Sequence, residues 1–153
     1  MMHPLTTRWL WAVVACVIWL GAPLMASAAP VSFQVKLDGA QQVPAVQTNG
    51  TGTADLSYDP DTHVLAWNVE FGGLSGPATM AHFHGPAPAG KNAGVLIWMS
   101  EKGKMDPVPS PLKGQATLTD AEAADLTAGN LYINIHTAAH KDGEIRGQVI
   151  LPQ

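Results

Sequence analysis

The sequence predicts an all-β domain, a β-sandwich or barrel of about eight strands with one short helix. Three observations carry that expectation. Apolar residues alternate at a period of two through most of the chain, the signature of strands with one buried face. These runs are separated by clusters rich in Gly, Pro, Asn and Asp, with no alternation of strand and helix. Charged residues make up only 13% of the chain, beside 15 glycines and 12 prolines, which suits a β-rich exported domain better than a helical one.

In order, Val31, Phe33, Val35 and Leu37 alternate in the first run, and a loop from Gly39 to Gly50 follows. Thr51 to Tyr58 turns Ala54, Leu56 and Tyr58 inward, and Asp59-Pro60-Asp61 makes the next turn. Val64 to Phe71 buries Leu65, Trp67, Val69 and Phe71. Ala78 to His84 is the fourth strand, and Gly85 to Asn92 is a loop punctuated by prolines and glycines. Gly94 to Met99 and Lys113 to Leu118 are strands joined by a polar, proline-containing connection. Thr119 to Gly129 is the helical signal, with Thr119 or Asp120 as cap, Glu122 in the first turn and Gly129 as the stop. Leu131 to Thr137 and Glu144 to Leu151 complete the set.

The first 28 residues are predicted to be a signal peptide and residues 29–153 one domain. Met1 to Arg8 carries positive charge and no acid, Trp9 to Leu24 is almost wholly apolar, and Ala26-Ser27-Ala28 presents the small residues that signal peptidase reads. The apolar run is shorter than the ~20 residues a membrane span needs. Cys16 is the single cysteine and falls within the leader, so the mature chain has no disulfide and no thiolate. About 125 residues remain, enough for one core. Twelve acids against eight bases, with no basic cluster, argue against nucleic acid and anionic membranes as partners. The location expected is periplasmic or secreted.

The chemistry concentrates in Met80-Ala81-His82-Phe83-His84-Gly85 and in Ile135-His136-Thr137. Residues two apart on a strand lie roughly 7 Å apart on one face, close enough for His82 and His84 to share an ion. Met80 lies on the same side as a candidate axial thioether. In the last hairpin, Leu131, Ile133 and Ile135 must face the core together with Ile145 and Val149. That register sets His136 opposite Glu144, Asn134 opposite Arg146 and Tyr132 opposite Gln148. His136 is therefore expected on the outward polar face with His82 and His84, with the Glu144 carboxylate holding its second ring nitrogen. His140, in the connecting loop, is the least secure ligand. Arg146 reads either as a guide for an anion near the metal or as a structural donor to loop carbonyls, the second being preferred.

Several of these motifs resemble those of the CHRD (chordin-type) domain: Phe33 to Leu37, Val43-Pro44, Ala81 to Gly85, Tyr132 to Thr137, and Gly143 to Gln148. The resemblance implies an immunoglobulin-like, Greek-key sandwich, found singly in exported bacterial proteins and repeated in animal chordins. A weaker similarity is to copper-zinc superoxide dismutase, whose His-x-His pair, late copper-binding histidine and C-terminal arginine match His82, His84, His136 and Arg146 in order. The dense zinc loop and the disulfide of that family have no counterpart here.

With no cysteine, a three-histidine site suits copper, with zinc as the alternative; Cu(II) binds tightest of the divalent ions and Met80 would add affinity for Cu(I). Binding is expected to weaken below about pH 6 as imidazole protonates. Three functions fit. The first is an exported copper-binding protein for storage, delivery or tolerance, working with a copper-handling partner. The second is a copper-only dismutase-like enzyme. The third is a metal-free adhesion or protein-interaction domain in which the histidines and an exposed Trp98 are incidental.

Overall fold

The structure is a computed structural model that describes residues 28–104 and 107–152. The predicted leader, apart from Ala28, lies outside the described residues. Eight strands form in chain order: β1 (Val31–Asp38), β2 (Thr51–Asp59), β3 (Val64–Gly72), β4 (Ala78–His84), β5 (Val95–Trp98), β6 (Leu112–Thr117), β7 (Leu131–Thr137) and β8 (Ile145–Val149). One helix, α1 (Asp120–Thr127), lies between β6 and β7.

The fold is all-β, as the alternation predicts. Every strand pairs antiparallel, in the order β5-β4-β7-β8-β1-β2-β3-β6. Two blocks of four strands, β5-β4-β7-β8 and β1-β2-β3-β6, face each other across the core. They are joined along one side, where Asp38 of β1 pairs with Arg146 of β8. The sandwich is thus a single sheet curled almost into a barrel. Gly147 makes the seam possible: a Cβ there would come within 2.6 Å of the Lys36 carbonyl oxygen, so only glycine lets β8 approach β1 this closely.

Between the blocks lie Val35 and Leu37 of β1, Ala54, Leu56 and Tyr58 of β2, and Leu65, Trp67 and Val69 of β3. They meet Ala81 and Phe83 of β4, Leu131, Ile133 and Ile135 of β7, and Ile145 and Val149 of β8. Trp67 and Phe83 close the two halves edge to face at 5.4 Å, the offset geometry that aromatic quadrupoles favour. Helix α1 opens on a capping box. Thr119 Oγ1 accepts from the Glu122 backbone N–H, and the Glu122 carboxylate accepts from the Thr119 N–H. It buries only Ala123 and Leu126, so it is a crossover that seals one end.

The hairpin register has the predicted partners: Tyr132 opposite Gln148, Asn134 opposite Arg146, Ile135 opposite Ile145. One expectation fails. The polar face of β7 is not outward in the sense of wet, because every residue of the strand is buried, His136 included. The loops following β1 and β4 fold back over this face. Gln42 Nε2 donates to the Asn134 amide oxygen at 2.7 Å, and Asn92 Nδ2 donates to the Val43 carbonyl at 2.7 Å. A second, polar interior results, behind β4 and β7 and separate from the apolar core.

Candidate metal centre

Alternation along β4 sends Ala81 and Phe83 into the apolar core and His82 and His84 into the polar interior. Across the β4–β7 ladder, Met80 stands opposite His136, His82 opposite Asn134 and His84 opposite Tyr132. The three imidazoles converge: one ligand nitrogen from each of His82, His84 and His136 lies within 4.8 Å of the others. His82 Nδ1 is 3.1 Å from His136 Nε2. The contact is a hydrogen bond, and its length is also that of two nitrogens sharing one ion, which at about 2.0–2.1 Å from the ion and roughly 90–110° apart lie about 2.9–3.4 Å from each other.

Backbone carbonyls fix the ring tautomers. A carbonyl only accepts, so His84 Nδ1 is the donor to Ala93 O (3.0 Å) and His136 Nδ1 the donor to Lys141 O (2.9 Å). Both rings therefore carry their lone pair on Nε2. His84 Nε2 and His82 Nε2 are buried and have no hydrogen-bond partner among the described residues. An unpaired polar atom in such a place costs about 1–3 kcal/mol, which an ion bound at that same nitrogen would remove.

The surrounding residues hold the rings in place. Tyr132 stacks on His84 at 5.0 Å and 8°, with the Arg146 guanidinium 3.5 Å from the centroid of the same tyrosine ring. The Tyr132 hydroxyl donates to Ala93 O and accepts from Ala93 N–H, tying the loop that also receives His84. Trp98, opposite His82 on the β5 edge, meets that imidazole edge to face at 4.3 Å. Trp98 is half-buried, not the free surface side chain that the sequence suggests.

Arg146 is 1% exposed. Its Nη1 donates to Asn92 Oδ1, and its Nη2 donates to the Lys91 carbonyl and to Gln148 Oε1. It clamps the 85–94 loop over the histidines. Glu144 requires a correction. It does not hold His136; that place belongs to the Lys141 carbonyl. Its carboxylate instead accepts from Thr48 Oγ1, from the Ser75 N–H and hydroxyl, and from Thr137 Oγ1. Register brought Glu144 beside His136, but three hydroxyls and an amide satisfy the carboxylate first.

His140 lies half-buried in the turn after β7, where its backbone exchanges hydrogen bonds with Thr137, and it is outside the converging set. The tightness of this turn comes from Gly143. It sits at φ +120°, and a Cβ there would land on the Asn134 amide. His63 stacks on Tyr58 away from the cluster. Tyr132, Trp98 and the two carbonyl anchors are the parts that sequence reasoning missed. Only Tyr132 left a signal, through its place on the His136 face.

Burial keeps the triad neutral. It pushes the His82 imidazole down to about 4, helped by His136 and His84 beside it. It also lowers His84 and His136, against the opposing pull of their carbonyl partners. The metal-free site therefore stays unprotonated at pH values below those expected for free imidazole. Between pH 6.5 and about 4 the unfolded chain takes up a proton at His82 that the folded chain refuses, so acid favours unfolding. The melting temperature of metal-free protein is expected to fall on acidification from pH 7 to 5. A midpoint flat across that range would contradict a buried neutral cluster.

An all-β domain with a buried three-histidine cluster is the class of protein defined so far. The CHRD domain family model matches residues 33–149, and the chain belongs to that family. No curated protein and no solved structure matches it.

Proposed function

We propose that this chain is an exported copper-binding protein, serving copper storage, delivery or tolerance in the periplasm or outside the cell. The carrying observation is the set of three buried imidazoles that each bring a ring nitrogen within 4.8 Å of the others, with His84 and His136 held as Nδ1–H tautomers by backbone carbonyls. Packing alone does not call for such a cluster, because aliphatic residues would fill the same volume without stranding polar atoms. Copper is favoured over zinc because an all-nitrogen set lacking thiolate and carboxylate ranks it highest among divalent ions, with the Met80 thioether on the same face. The leader-like N-terminus and the cysteine-free remainder support export.

The alternatives draw less support. A dismutase-like enzyme needs Arg146 free to guide an anion, and both of its terminal nitrogens are engaged by the loop. Incidental surface histidines would be solvated, whereas His82 is 2% exposed. Calorimetric titration and elemental analysis test the proposal. One copper per chain is expected, and His82→Ala/His84→Ala is expected to weaken binding at least about 1,000-fold. Equal affinity of the wild type and the double variant would remove it.

A further inference from the structure

The charges around the triad carry information beyond the choice of element. All three candidate donors are neutral, and each is buried. The ionised groups nearby offer a cation little. Arg146 carries the same sign as a metal and lies over the tyrosine ring stacked on His84. The Glu144 carboxylate is saturated by Thr48, Ser75 and Thr137. Asp142, the remaining acid acting on His136, is exposed, and water screens its charge.

We infer that the site holds copper as Cu(I) in preference to Cu(II), an inference that rests on the copper-binding reading above. The cost of taking an ion out of water rises with the square of its charge, so Cu(II) loses about four times as much as Cu(I) on entering the same dry cavity. Neutral imidazoles return none of that difference as net charge compensation. Coordination preference acts in the same direction. Among the described residues the cluster supplies three nitrogens, and strand register sets Met80, with its soft thioether, opposite His136. A set of this kind satisfies a low-coordinate Cu(I) and leaves Cu(II) short of the four or more hard ligands it prefers.

The experiment compares two affinities on the purified protein: Cu(I) against bicinchoninate under anaerobic reduction, and Cu(II) against a competing aminocarboxylate chelator in air. Cu(I) is expected to bind at least about 100-fold more tightly. Met80→Glu, which adds a carboxylate at a half-buried position on the triad's face, is expected to shift the ratio at least about tenfold toward Cu(II). The variant's fold is checked by circular dichroism, and the wild-type ratio alone decides the matter if it fails to fold. Cu(II) binding as tightly as Cu(I), or a folded Met80→Glu protein with an unchanged ratio, overturns the inference while leaving copper binding standing. Absence of binding in both states instead overturns the proposed function.

Discussion

Glu144→Ala is expected to lower stability by about 3–5 kcal/mol, the largest single-residue loss anticipated in this domain. The carboxylate is fully buried and accepts four hydrogen bonds, three of them at 2.6 Å. Bonds of this charge-assisted kind contribute about 1.5–3 kcal/mol each when counted singly, and they are not additive. Their partners come from three separate segments: Thr48 before β2, Ser75 between β3 and β4, and Thr137 at the end of β7. Removing the acceptor strands three hydroxyls and an amide at once. Burial alone would push the carboxyl up; the bonds from Ser75, Thr137 and Thr48 overcome this and hold it at about 2. A carboxyl depressed in the folded state contributes stability above its unfolded value of 4.5 that is lost as pH falls toward 2. Glu144→Gln should therefore be less stable at pH 7 and have a shallower acid-dependent slope below pH 4.5. Urea denaturation across that range measures both effects, and a loss under about 1 kcal/mol for the alanine variant would show that the staple is not needed.

Arg146→Met is expected to cost about 2 kcal/mol and to weaken copper binding about tenfold. Methionine fills similar length and removes the burden of a buried cation, so part of the loss is offset. What disappears is the clamp on Asn92 and Lys91, and with it the fixed position of the loop that offers Ala93 O to His84. Denaturant unfolding and chelator competition read the two effects separately. Destabilisation with unchanged affinity would mean that the clamp serves the fold alone.

What could be read from the sequence was whatever a strict period of two imposes. Leu131, Ile133 and Ile135 had to share a face with Ile145 and Val149, and that constraint alone produced the correct hairpin register. The same rule put His82 and His84 together, and the late hairpin put His136 on their side. The failures have a common cause. Whether a polar strand face meets water depends on where irregular segments travel, and the Gly- and Pro-rich loops after β1 and β4 encode bends without destinations. Register points Glu144 to its cross-strand neighbour, whereas two of its three partners, Thr48 and Ser75, are 96 and 69 residues away in the chain. Lys141 supplies a backbone carbonyl, and no side-chain pattern announces one.

Strand β4 has a consequence for how such a domain can diversify. It is a partition between two interiors, with Ala81 and Phe83 serving one and His82 and His84 the other. Substitutions on the histidine side leave the Trp67–Phe83 contact untouched, so the donor set and the apolar core are free to vary almost independently. One scaffold can therefore exchange its ligand chemistry, or lose it, without rebuilding the framework that carries it.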